Sequence, residues 1–164
     1  MSVQPVVWSR NDHLRPDPMD STNVMQAEAT RRKNLNTLLW IMQGFLFLAF
    51  GAYGLMKLTM PMDKLAALLT WPANVPEFLV RAIGAAELAG AMGVFLPALM
   101  RMQPWITSYA AMGLATVMIC AVGYHLMLFQ GKMLIPSIVL GVIAGYVAWG
   151  RDKVVPITSR KEDL

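Results

Sequence analysis

The chain has 164 residues, 56% apolar and 15% charged, enough for one domain and too few for two ordinary ones. A soluble domain scatters its charges because every element needs a wet face, but here the middle is nearly bare of Lys, Arg, Asp and Glu while both ends are rich in them. The formal net charge of +4 comes from tails and loop ends, not one stripe, which reads as membrane orientation and excludes a nucleic-acid footprint.

Residues 1–34 form a polar arm carrying Pro5, Pro16 and Pro18. No apolar core follows a basic start there, so no cleavable signal peptide is expected. Asp20 or Ser21 is placed to cap a helix that begins near Thr22 and continues into the membrane. Arg31, Arg32 and Lys33 stand just before the first apolar stretch.

Four long apolar stretches follow, in a membrane domain spanning 35–150. A bilayer core of about 30 Å needs some 20 helical residues at about 1.5 Å each. Leu35–Met56 carries no formal charge. The long connection from Leu58 to Glu77 holds a short interfacial helix, Lys64–Trp71, stopped by Pro72 and Pro76. Phe78–Met100 contains Arg81 and Glu87, and Pro104–Phe129 contains His125. Met133–Trp149 is short and needs flanking residues or local thinning of the bilayer to span it. None of these stretches alternates as barrel strands do, so they are helices. The fold expected is all-α, a four-transmembrane-helix bundle with an interfacial helix in the first outer loop.

Basic residues set the orientation. The arm has Arg10, Arg15, Arg31, Arg32 and Lys33; the second loop has Arg101; the tail, 151–164, has Arg151, Lys153, Arg160 and Lys161. The other side has Lys57, Lys64 and Lys132. Both termini are therefore expected to be cytoplasmic. Trp40, Trp71, Trp105 and Trp149 fall near helix ends, as interface aromatics do.

Charges within a membrane helix are expensive and default to a functional hypothesis. Entering from the outer side, Arg81 lies roughly 5 Å deep and Glu87 roughly 13 Å, with His125 roughly 6 Å from the same surface. Tyr53, Lys57, Tyr124 and Ser137 fall in that half too, so a shared cavity with ligand-binding or proton-relay capacity is expected. Arg81 and Glu87 are six apart and point about 120° away from each other, so Glu87 needs a partner from another helix, Lys57 or His125. The alternative is a polar knot that only fixes packing. Ala86 with Gly90, and Ala89 with Gly93, form small-xxx-small pairs that let helices approach closely. Cys120 is alone in an apolar stretch and reads as a small core residue. His125 is the only histidine in the membrane stretches, so an internal bis-histidine haem site is excluded. No metal and no intrinsic cofactor are assigned.

These residues form a pattern: Gly54-Leu55-Met56-Lys57-Leu58, then Pro76, then Arg81-x-x-Gly84-x-x-Glu87-x-x-Gly90-Ala91-x-Gly93-x-x-x-Pro97. Ala110-Ala111-x-Gly113-Leu114, Met118, Ala121-x-x-x-His125, Pro136 and Gly150-Arg151 complete it. The pattern resembles the DoxX-like family over about residues 40–151. The resemblance implies a four-helix bundle in the bacterial inner membrane. Named members are linked to quinone-coupled oxidation, including thiosulfate:quinone oxidoreductase, and to redox-stress complexes; some distant relatives are assembly factors. It thus implies a quinone-linked or accessory subunit of a redox complex. Quinone would be the small molecule, and another membrane or redox subunit, or a second copy, the partner besides the lipid bilayer. A non-catalytic assembly or scaffold protein is the alternative. Four-helix relatives that handle disulfides use paired cysteines, which this chain lacks.

Overall fold

A computed structural model describes residues 18–157 except Met102, Pro104 and Gln130, with side chains from Thr22 onward. The expected arm before Pro18 and Arg160 and Lys161 of the tail lie outside what is described, whereas the expected start near Thr22 is corrected: the first helix already runs from Pro18, so Asp20 and Ser21 lie inside it and not at its cap. Among the described residues five α-helices form: α1 Pro18–Thr59, α2 Met62–Leu69, α3 Glu77–Met100, α4 Trp105–Met127 and α5 Gly131–Trp149. A 3-10 turn, Trp71–Asn74, follows α2, and a π-helical turn, Gly150–Val154, extends α5. The described residues fall into two units, divided between Leu35 and Asn36.

The all-α expectation is met. Four of the described helices, α1, α3, α4 and α5 with its π-turn, are long and apolar enough to cross a membrane. The short fourth stretch is resolved by that turn, because Gly131–Val154 gives 24 residues. The interfacial helix forms as Met62–Leu69, slightly earlier than expected. Pro136 falls in the first two turns of α5, near where a missing N–H costs little.

Each span buries one stripe at coiled-coil spacing, in steps of four and three. In α3 the buried residues are Val80, Gly84, Glu87, Ala91, Val94 and Ala98. In α1 they are Leu39, Gln43, Leu46, Phe50, Gly54 and Lys57. The outward faces carry exposed Ile41, Leu48, Phe78, Ile119 and Val142. Large side chains outside and polar ones within suit a lipid solvent, since apolar patches of that extent are not left in water.

Glycine sets the helix spacing. A Cβ on Gly54 would stand 2.8 Å from the Gly84 carbonyl oxygen, so α1 and α3 cross nearly backbone to backbone. Gly90 and Gly93 of α3 receive Leu114 and Ala110 of α4. Gly141 of α5 receives Met118 of α4, and Gly150 receives Leu39 of α1, closing the ring of spans. In lipid, where apolar burial gives no drive between helices, such close packing supplies the association.

Candidate functional site

The Gly54–Gly84 crossing determines what lies beside it. Lys57 is one turn beyond Gly54 and Glu87 one turn beyond Gly84, so the close approach of the backbones brings their side chains together. Lys57 Nζ donates to both carboxylate oxygens of Glu87 at 2.5 Å. Lys57 is 6% exposed and Glu87 2%, so this is a buried, charge-neutral pair. Lys57, one of the two partners expected for Glu87, is in contact with it.

The pair opens onto a cavity of about 520 Å³ lined by all four spans, Leu69 of α2, and Trp71 and Val75 beyond it. Phe50, Leu79, Ile83, Met118 and Leu140 give it an apolar wall. Polar groups reach it from Lys57, Glu87, Tyr53, Tyr124, His125 and Ser137. His125 is 6% exposed and packs edge-on against Tyr124, with ring centroids 5.9 Å apart. The structure thus gathers Tyr53, Lys57, Glu87, Tyr124 and His125 on one cavity.

Arg81 is not on its wall. Arg81 Nη1 donates to the carbonyls of Lys57 at 2.5 Å and Met60 at 2.9 Å. Its Nε and Nη2 donate to Glu77 Oε1 at 3.2 and 2.9 Å. The guanidinium therefore caps the C-terminal carbonyls of α1, which lack intrahelical donors, and places a cation where the helix dipole favours one. Replacing Arg81 with Met should cost about 1–3 kcal/mol by leaving two carbonyls unsatisfied. Arg81→Lys should restore only part of that, because an ammonium lacks the planar fork. Unfolding in mixed detergent measures both.

Sequence reasoning missed Trp71 as a cavity residue. It was placed at the interface, but its ring lies 5.7 Å from Lys57 Nζ and 6.3 Å from the Tyr124 ring. Thr70 turns the chain toward this position with φ 63° and ψ −48°, a strained conformation for a β-branched residue. Cys120 also departs from expectation: it is exposed and lines the cavity rather than filling the core.

A second polar cluster occupies the other end of the bundle. Arg151, 4% exposed, was read as a tail residue. Its Nε donates to Gln43 Oε1 at 2.8 Å and its Nη1 to Asn36 Oδ1 at 2.7 Å. Gln43 in turn donates to the Val94 carbonyl at 2.8 Å. The available signal was spacing, since Gln43 sits on the buried stripe of α1 between Leu39 and Leu46.

These features define a multi-pass integral membrane protein with a buried ion pair on an internal cavity. The chain belongs to the DoxX-like family, whose profile matches residues 41–147. No curated protein and no solved structure matches it.

Proposed function

We propose that this protein is a quinone-binding accessory subunit of a redox complex in the bacterial inner membrane. The observation that carries the reading is the neutral Lys57–Glu87 pair opening onto a largely apolar cavity of ligand size. A quinone needs an apolar slot for its ring and a few donors for its carbonyl oxygens. Trp71, Phe50 and Leu140 supply the slot; Lys57, Tyr53 and Tyr124 supply donors. When bound, the quinone provides the two-electron chemistry. Glu87 and His125 are placed to hold and pass the accompanying protons. The electrons come from a redox centre on a partner subunit.

The test uses the native thiol. Maleimide labelling of Cys120 should slow several-fold when a water-soluble quinone analogue fills the cavity, and extraction of the protein purified in mild detergent should yield quinone. Glu87→Gln and His125→Ala should lose both signals while retaining fold. Absence of both signals in wild type rejects the reading. A stoichiometric protein partner that survives both substitutions would then favour the scaffold alternative.

The same reading places both termini in the cytoplasm. Reporter fusions after Leu58 and after Lys132 should report the periplasm, and cytoplasmic signals at both would reverse the orientation.

A further inference from the structure

The Arg151 cluster is independent of the cavity and has a different chemistry. A buried guanidinium normally meets a carboxylate. Arg151 instead meets neutral acceptors: the amide oxygens of Gln43 and Asn36, and the Val155 carbonyl at 3.4 Å. Among the described residues no carboxylate pairs with it. The Trp40 ring lies 5.2 Å from its central carbon, adding attraction without neutralising the charge. Its Nη2 is buried and makes no hydrogen bond among the described residues.

Thr107 stands at the same end. It is the third residue of α4, and α4 packs against the π-turn that carries Arg151. Its hydroxyl is also buried and has no hydrogen-bond partner among the described residues. A cation with no carboxylate partner among the described residues, a guanidinium nitrogen without a hydrogen bond and a hydroxyl without one together call for a negatively charged acceptor. Trp40 packs on Arg151, and Trp105, Tyr109 and Trp149 fall at or near the ends of α4 and α5 on this side, as aromatic belts at lipid headgroups do.

We propose that Arg151 and Thr107 form a phosphate-binding site at this end of the bundle, filled by a phospholipid headgroup or by free phosphate. Nη2 and the Thr107 hydroxyl donate to phosphate oxygens, and Arg151 supplies the balancing charge. Gln43, fixed by the Val94 carbonyl, holds the guanidinium in place.

The experiment uses the full chain purified in a phosphate-free maltoside detergent. One arm measures thermal unfolding in inorganic phosphate against chloride at equal ionic strength. The other measures lipid retained in native mass spectrometry after exposure to phosphatidylglycerol or to a phosphate-free galactolipid. Wild type should be stabilised by phosphate, or retain phosphatidylglycerol in preference to galactolipid, and the arm that responds identifies the source. Arg151→Gln should abolish the response, and Thr107→Val should weaken it about tenfold, as expected for one lost charge-assisted hydrogen bond. If Arg151→Gln does not accumulate, Thr107→Val alone decides. No response in either arm, or an undiminished response in Thr107→Val, overturns the proposal.

Discussion

Lys57→Met is expected to destabilise the protein by about 3–5 kcal/mol, the range for removing one partner of a buried ion pair. The variant leaves the Glu87 carboxylate in a space where the ammonium supplied the hydrogen bonds to both oxygens. Glu87→Met should cost a similar amount, because it strands a buried ammonium beside the Trp71 ring without its carboxylate. The double variant Lys57→Met with Glu87→Met should recover most of the loss. Replacing a buried pair by apolar side chains of similar volume is often close to neutral. Unfolding of the four proteins in mixed detergent gives the cycle, and additive losses would show that the pair is not coupled. The double variant also separates structure from function. If the pair only fixes packing, a well-folded double variant retains all activity; if it forms the polar end of a quinone site, that variant folds and binds nothing.

The spans were legible because lipid demands long apolar helices, and little else satisfies a backbone there. The gathering of Lys57, Glu87 and His125 was legible because depth follows from residue counting once the spans are placed. Arg81 and Arg151 show where counting stops. Both are arginines near a membrane boundary, and nothing in composition distinguishes one that reaches carbonyls at a helix end from one turned into the core. What distinguishes them is helix rotation. Arg151 continues the buried stripe of α5 after Ala144 and Val147, whereas Arg81 falls one residue off the stripe of α3 that holds Val80 and Gly84. Trp71 was illegible for another reason. Its position depends on the backbone of Thr70, a conformation that threonine rarely adopts and sequence therefore does not advertise.

Gly54→Ala should lower stability by about 1–3 kcal/mol, while Gly51→Ala on the same helix should not. The added methyl at Gly54 meets the Gly84 carbonyl oxygen at 2.8 Å, Leu88 N at 2.9 Å and Leu88 Cα at 3.3 Å. All three are backbone atoms, so no side chain can rotate away and α1 must move off α3. At Gly51 an added Cβ has nothing within 4 Å. Alanine there removes only the entropic handicap of glycine in a helix, worth about 1 kcal/mol in favour of the variant. The two substitutions carry the same chemistry on the same helix, so their difference isolates the crossing. A displaced crossing also stretches the Lys57–Glu87 contact, since each residue lies one turn beyond its glycine. Cys120 labelling reads that effect directly: protection by a quinone analogue should fall in Gly54→Ala and persist in Gly51→Ala. Equal stability losses in the two variants would mean that the close approach of α1 and α3 does not limit the packing. Undiminished protection in a destabilised Gly54→Ala would mean that the cavity does not depend on the ion pair's geometry.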